Sequence, residues 1–142
     1  MERSLVLVKP DAVERGFSGA IISRIEAAGM KLVAMRMLRL DRFTAERHYA
    51  VHREKPFFHG LINYITSGPI VAAVFEGTDA VNAIRKVMGA TNPEKAEPGT
   101  IRRDFGTNIE RNAVHGSDSL TTAEQEIKLF FSSAEIQEYT RK

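Results

Sequence analysis

The sequence predicts a two-layer α/β or α+β sandwich, because short apolar runs alternate with segments whose apolar residues recur at helical spacing. No internal repeat or linker divides the 142 residues, so we expect a single domain spanning residues 1–142. A chain of this length buries about two-thirds of its unfolded surface, which is enough for a core without disulfides or a structural metal. These patterns leave the order of the strands open.

Four segments are predicted to be strands. They are residues 4–8, 31–40 and 70–75, and a short apolar stretch at residues 113–114. The first is uniformly apolar, which is typical of a central buried strand. It ends at Lys9-Pro10, because proline cannot donate to a sheet ladder.

The helices are predicted from spacing and capping signals. The first helix precedes Gly29 and carries Ile21, Ile22, Ile25 and Ala28. Two more are predicted over residues 44–53 and 61–65, and the next follows a cap at Thr78 or Asp79 and carries Val81, Ile84, Val87 and Met88. The last helix opens at Thr121–Glu124, which has capping-box spacing, and runs to about Phe131. Residues 89–112 contain prolines and glycines and no sustained period. We expect this segment to be an ordered functional loop.

The overall charge excludes few classes but argues against a nucleic-acid binder. Net charge is +2, from 20 basic and 18 acidic residues that are mixed along the chain, whereas a nucleic-acid binder usually has a clustered basic stripe. The chain has no cysteine, so disulfides, thiolate zinc sites and cysteine nucleophiles are excluded. The first apolar run is too short for a signal peptide and no window resembles a membrane span. We therefore expect a cytoplasmic enzyme or binding protein.

If the chain binds nucleotides, side chains must hold the phosphates, because no glycines have P-loop or dinucleotide-fold spacing. Lys9 follows a buried strand, at the end of the sheet where α/β proteins often bind ligands. Arg85 falls at the margin of an apolar helix face and Arg102 lies in the irregular segment. The alternatives are plain strand termination for Lys9, and surface arginines with packed stems for the other two.

His115 is the strongest candidate for a nucleophile. It follows a short strand and precedes Gly116-Ser117-Asp118. A neutral imidazole attacks phosphorus without an added base, but its second nitrogen needs a partner that fixes the tautomer. Glu126, at the edge of the buried face of the last helix, is the candidate partner. The alternative is a histidine whose hydrogen bonds are satisfied in a core or loop.

Two further features are less specific. His48 and His52 are four residues apart on a predicted helix, but no acidic or cysteine ligand has a recognised spacing to them, so no protein metal site is predicted. Phe57 and Phe58 are adjacent aromatics beside a turn. One is expected in the core and the other is available to stack on a base.

Residues 112–118, Asn-Ala-Val-His-Gly-Ser-Asp, resemble the active-site motif of the nucleoside diphosphate kinases. The resemblance covers nearly the whole chain, because residues 7–11, 56–58, 67–69, 91–93 and 98–102 also match the family in order and spacing. It implies that His115 becomes phosphohistidine. The other residues that it places in the site are Glu126 and Ser117 around His115, Lys9 and Asn112 at the ribose and phosphates, Arg85, Thr91 and Arg102 at phosphate oxygens, Phe57 and Ile109 on either side of the base, and Tyr49 in support.

The resemblance also implies the fold and the reaction. The fold is a ferredoxin-like antiparallel four-stranded sheet covered by helices. The reaction is a ping-pong transfer of the terminal phosphate, mainly from ATP, to a nucleoside diphosphate. Mg²⁺ is expected on the nucleotide phosphates and water, without dedicated protein ligands. The resemblance also implies a homo-oligomer. The chain stops at Lys142, which resembles the short bacterial type and leaves tetramer and hexamer open, with Pro93 favouring the hexamer.

Two rival functions remain. A nucleic-acid-binding module suits a ferredoxin-like sheet with stacked aromatics, but the aromatic RNA-recognition signature is missing. A catalytically idle scaffold keeps the fold and oligomer, but the intact set of Lys9, Arg85, Arg102, Asn112 and His115 argues against it. Neither a membrane nor a nucleic acid is expected as the main partner.

Overall fold

The computed structural model describes residues 1–142 and contains one four-stranded sheet. The strands are β1 (Glu2–Val8), β2 (Lys31–Arg39), β3 (Pro69–Gly77) and β4 (Val114–Gly116). Their order across the sheet is β2-β3-β1-β4, and every neighbouring pair is antiparallel. This arrangement confirms the α+β class and the ferredoxin-like antiparallel sheet.

Seven α-helices surround the sheet. They are α1 (Pro10–Glu14), α2 (Ser18–Ala27), α3 (Arg42–His48), α4 (Phe58–Ile65), α5 (Ala80–Met88), α6 (Ile101–Phe105) and α7 (Leu120–Phe130). Three 3₁₀ turns lie at Ala50–His52, Pro93–Lys95 and Ser133–Glu135. None of these helices combines the length and the apolar character that crossing a membrane requires.

The apolar part of β1, Leu5–Val8, is buried on both faces of the sheet. Leu5 and Leu7 belong to a core cluster with residues of α3, α4 and α7, whereas Val6 and Val8 belong to a second cluster with residues of α2 and α5. Successive side chains of a strand point to opposite faces, so a strand in the middle of two cores is apolar throughout. Helices therefore lie on both faces, which adds a third layer to the two that the sequence predicts.

Several element boundaries differ from the prediction. Helix α3 ends at His48, and the chain then turns through a 3₁₀ segment, so the expected helix over residues 44–53 is divided. Helix α4 begins at Phe58, ahead of the predicted start at Leu61. Within residues 89–112, the side chain of Thr100 accepts a hydrogen bond from the Arg103 amide and starts α6. A helix this short cannot show a sequence period.

Two capping predictions were wrong in detail. Asp79 precedes α5 but has a φ of 53°, and its carboxylate accepts from the Asn82 side chain instead of capping a backbone amide. Helix α7 is capped by Ser119, whose hydroxyl accepts from the amide of Thr122, so Thr121 lies inside the helix. In both helices, local spacing located the first turn but not the contact that caps it.

Candidate active site

A cleft of about 910 Å³ opens beside the end of β1 and β4 and brings together almost every residue that the sequence singled out. The predicted residues that line it are Lys9, Tyr49, Phe57, Arg85, Thr91, Arg102, Ile109, Asn112, His115 and Glu126. Ser117 lies behind the cleft wall and is fully buried. Residues from nearly the whole length of the chain therefore share one site.

β4 turns the imidazole of His115 into the cleft. Its neighbours Val114 and Gly116 are buried, whereas the His115 side chain is 20% exposed. Gly116 leaves room for α5, because a Cβ at this position would lie 2.5 Å from the sulfur of Met88 and would force that side chain to move. A glycine thus lets a helix pack directly behind the strand that carries the histidine.

Glu126 holds one side of the His115 ring. The carboxylate oxygen Oε1 lies 3.0 Å from His115 Nε2 and accepts a 2.7 Å hydrogen bond from the hydroxyl of Ser117. The same hydroxyl accepts from the amide of Leu5, which fixes its direction. Burial acts to raise the pKa of Glu126, but the bonds from His115 and Ser117 outweigh it and hold the pKa below its usual value.

An ionised carboxylate only accepts hydrogen bonds, so His115 Nε2 must be the protonated nitrogen. The lone pair of a neutral ring then lies on Nδ1, the nitrogen that Glu126 does not contact. The contact between Glu126 and His115 that the sequence predicted is therefore present, and it favours the tautomer with an unprotonated Nδ1.

Asp11 supports the segment before His115, and the sequence analysis missed it. Its buried carboxylate accepts from the amide of Ala113 at 3.1 Å and from the hydroxyl of Tyr64. Ala113 has a φ of 75°, a region that non-glycine residues enter rarely and at a cost. The hydrogen bond stabilises this turn, and the only sequence signal was an aspartate directly after Lys9-Pro10.

Lys9 is buried at the end of β1 and donates to Asn112 Oδ1 at 2.8 Å. The side-chain Nδ2 of Asn112 in turn donates to the carbonyl of Thr91. Burial, with a smaller contribution from nearby Arg102, lowers the pKa of Lys9 to about 8. The ammonium is therefore still mostly protonated at neutral pH, and it is held at a fixed position in the cleft.

The two arginines differ in their surroundings. Arg102 is buried and donates to the carbonyls of Gly89 and Val114, while its Nε has no partner. Burial, and secondarily Arg85, lower its pKa to about 10, so it stays charged. Arg85 is exposed on the last turn of α5 and its donors are not used within the protein. Together with Lys9 they make this end of the cleft cationic.

Two apolar side chains that the sequence predicted for the site are exposed in the cleft lining. Phe57 is 51% exposed and Ile109 is 62% exposed, and both line the cleft. The adjacent Phe58 is buried in the core, so the two neighbouring aromatics divide as the sequence predicted. An exposed ring beside a cationic pocket suits a ligand with a flat apolar part and an anionic part.

His48 is the second residue that the sequence analysis missed. Its ring centroid lies 4.7 Å from that of His115, its side chain is only 1% exposed, and its Nδ1 is 3.8 Å from Glu126 Oε2. Burial and the neighbouring His115 lower its pKa to about 3, so the ring is neutral. The four-residue spacing of His48 and His52, from which no metal site was predicted, gave no hint of this contact, which joins two distant segments.

The buried Tyr49 lies beside His48, with ring centroids 4.6 Å apart. Burial and the charge of Glu126 raise its pKa, so the phenol keeps its proton. It therefore packs on the site as a neutral group.

Comparison with known proteins gives one consistent family. The family model described as nucleoside diphosphate kinase matches residues 2–136. A nucleoside diphosphate kinase of Dehalococcoides mccartyi strain 195 is 59% identical over 142 residues, which is 100% of both chains.

Solved structures agree with this match. The structure of a halophilic nucleoside diphosphate kinase from Halobacterium salinarum, in complex with CDP, has a TM-score of 0.96 and 47% identity and covers 99% of this chain and 93% of that one. The Aquifex aeolicus nucleoside diphosphate kinase has a TM-score of 0.94 and 45% identity, with 96% and 99% coverage.

Proposed function

This chain belongs to the nucleoside diphosphate kinase family, and from that premise we propose that His115 carries the terminal phosphate from a nucleoside triphosphate, mainly ATP, to a nucleoside diphosphate. The observation that carries the proposal is the contact of Glu126 with His115 Nε2, which leaves Nδ1 as the free nucleophile. The family activity, phosphotransfer between nucleotides, makes the chain a kinase.

In the first half-reaction, His115 Nδ1 forms a bond to the γ-phosphorus, and the bond from that phosphorus to the bridging oxygen of the leaving diphosphate breaks. The ring gains positive charge as the bond forms. Glu126 stabilises that charge through the proton on Nε2, which stays between them, while Ser117 holds the carboxylate in place. The second half-reaction is the reverse, with a different diphosphate as acceptor, so the scheme is ping-pong.

Phosphoryl transfer depends mainly on alignment and charge stabilisation. We assign the phosphate oxygens to Arg85, Arg102 and Thr91, which all line the cleft, and Lys9 adds a third cation there. Arginine donates in a planar fork that matches phosphate oxygens. The proposal assigns Lys9 and Asn112, which are hydrogen-bonded to each other, to the ribose and the phosphates next to it.

We expect Mg²⁺ to arrive with the nucleotide. Magnesium prefers six oxygen ligands, and three carboxylates line this cleft. Glu126 is bonded to His115 and Ser117, while Glu110 and Asp118 are exposed. The residues of the cleft therefore suit an ion held by phosphates and water better than an ion held by protein side chains. When bound, the ion would neutralise charge on the phosphate oxygens.

Phe57 is proposed to stack on the base, with Ile109 across the cleft from it. Every base has an aromatic face, so a stacked base with few edge contacts would explain tolerance of different bases. The relative from Halobacterium salinarum was solved in complex with CDP, which supports a nucleoside diphosphate as ligand here. We place the reaction in the cytoplasm, where nucleotides are made and used.

A homo-oligomer is also proposed, either a tetramer or a hexamer. β2 is an edge strand, and its outer residues include exposed Met35 and Met37. Exposed edges with apolar residues are prone to pair with another chain. Sedimentation of the wild type and of Met37→Glu would test this: a smaller particle for the variant supports an interface at this edge.

The decisive experiment uses ATP labelled at its terminal phosphate, with Mg²⁺ and no acceptor. The wild type should take up acid-labile, alkali-stable label that GDP discharges, and His115→Ala should take up none. The exposed His59 gives a matched control, because His59→Ala should behave as the wild type. An unlabelled but folded wild type would refute the carrier role, as would equal labelling of His115→Ala.

A further inference from the structure

We propose that His48, His115 and Glu126 form a binding site for a transition metal ion of the zinc type, and that the bound ion blocks the nucleophile. The metal site goes beyond the proposed function. Its inhibitory effect rests on that function, through the role of His115 Nδ1.

The three side chains already converge on one point. One ligand atom from each lies within 4.8 Å of the other two. Glu126 Oε1 is 3.0 Å from His115 Nε2, and Glu126 Oε2 is 3.8 Å from His48 Nδ1. Metal–ligand bonds of about 2.0–2.2 Å in a tetrahedral site put neighbouring ligand atoms about 3.4 Å apart. Side-chain shifts of about 1 Å or slightly more would complete this geometry.

His48 is the observation that points to a ligand. Its side chain is almost completely buried, yet neither ring nitrogen has a hydrogen-bond partner. Buried polar groups nearly always have one. The ring instead packs edge-on against His115, Tyr49 and Phe130. A metal ion beside Glu126 would use a nitrogen lone pair that the protein leaves idle.

The donor set selects the class of metal. Two imidazoles and one carboxylate suit Zn²⁺ and its neighbours Co²⁺ and Ni²⁺, and three protein ligands leave one position for water. Mg²⁺ prefers octahedral oxygen ligands, so the ion that accompanies the nucleotide should not occupy this site. The His115 side chain borders the cleft, which gives the ion a path from solvent.

Occupancy would change the tautomer of His115. A metal takes the lone pair of Nε2, so the single proton of the neutral ring moves to Nδ1. Nδ1 then has no lone pair to attack phosphorus. Glu126 also becomes a metal ligand and no longer orients the ring. A zinc-loaded protein should therefore fail to accept phosphate from ATP.

The first measurement uses metal-free protein and Zn²⁺ alone, without nucleotide, by titration calorimetry or equilibrium dialysis. The wild type and the control His59→Gln should bind one ion per chain at this site. His48→Gln should bind it about 100-fold or more weaker, since even residues that only orient ligands change metal affinity 10- to 100-fold. Co²⁺ should give the visible absorption of a tetrahedral site in the wild type and not in His48→Gln.

A second variant guards against misfolding of His48→Gln. His115→Ala, on the exposed side of the same cluster, should lose the ion as well, and thermal unfolding of both variants shows whether they are folded. Equal Zn²⁺ affinity in the wild type and in folded His48→Gln would overturn the site.

Inhibition by Zn²⁺ is measured separately. Each protein is labelled by ATP and Mg²⁺ with and without Zn²⁺, and its rate with Zn²⁺ is divided by its own rate without Zn²⁺. Zn²⁺ should suppress labelling of the wild type and of His59→Gln, but not of His48→Gln. Equal suppression in His48→Gln would overturn the inhibitory role. A wild type that binds Zn²⁺ but is never labelled would refute the carrier role of His115 and leave the metal site standing.

Discussion

Replacing Glu126 by glutamine tests the role of the carboxylate with the smallest change of shape. The carbonyl oxygen of the new side-chain amide can still accept from His115 Nε2 and from Ser117, so the geometry is kept and only the charge is lost. Hydrogen bonds to charged groups contribute about 1.5–3 kcal/mol, and those between neutral groups about 0.5–1.5 kcal/mol. The Glu126→Gln variant should therefore lose about 1–2 kcal/mol of transition-state stabilisation, which slows labelling about 5- to 30-fold.

The assay is rapid-quench labelling of the protein by excess ATP with terminal label. Glu124→Gln is the matched control, because Glu124 is on the same helix but exposed. An unchanged rate in Glu126→Gln would refute the argument that the negative charge stabilises the ring. A complete loss, as in His115→Ala, would show that the carboxylate does more than orient the ring and stabilise its charge.

The same variant has a pH signature in stability. The hydrogen bonds of Glu126 hold its pKa below the unfolded value, which is about 4.3. Its ionised form therefore adds stability that is fully present above that pH and is lost as the pH falls through the lower folded pKa. The difference in unfolding free energy between the wild type and Glu126→Gln should shrink in this acid range. A difference that stays constant with pH would contradict the assignment.

The cleft yields further predictions for one lysine, one aromatic residue and two arginines. Because burial lowers the pKa of Lys9 to about 8, its charge is lost above that pH, and nucleotide affinity should fall by up to about tenfold per pH unit there. Calorimetry measures the nucleotide affinity of the wild type and of Lys9→Met against pH. An identical pH profile in the two proteins would disprove the role of the Lys9 charge. Phe57→Ala should weaken nucleotide binding by about 1–3 kcal/mol but leave labelling at saturating ATP intact. Phe43→Ala, exposed outside the cleft, is its control, and normal affinity in Phe57→Ala would rule out stacking. Arg85→Ala should weaken nucleotide binding while changing thermal stability by under about 0.5 kcal/mol. Arg102→Ala leaves the buried carbonyl of Val114 and the partly buried carbonyl of Gly89 without the arginine donor, so it should lower the unfolding free energy by about 2 kcal/mol. Equal melting temperatures for the two arginine variants would contradict this.

The sequence predicted most of this site because the family motif names its residues, and because chemistry-bearing side chains end buried strands. Apolar runs located β1 and β3, whose burial on both faces leaves a continuous pattern. The misses share one physical cause. His48 and Asp11 act through contacts with His115 and Ala113, which are far away in the chain, and no local spacing encodes such contacts.

The short elements were missed for a different reason. Helix α6 has five residues, which is less than two helical turns and too few for a 3.6-residue period to appear. Its start depends on a single threonine cap. A single side chain of this kind is a weak signal in any sequence, so the loop over residues 89–112 could not be divided in advance.

The strand order has a consequence for synthesis on the ribosome. β1 emerges before the other three strands of the sheet, but it lies in the middle of the sheet, and its two neighbours begin at Pro69 and Val114. Until those segments appear, a strongly apolar nascent strand has two unpaired edges, which is the state most exposed to aggregation. Lys9 is made long before Glu126, so the nascent chain has no complete cleft until α7 leaves the exit tunnel.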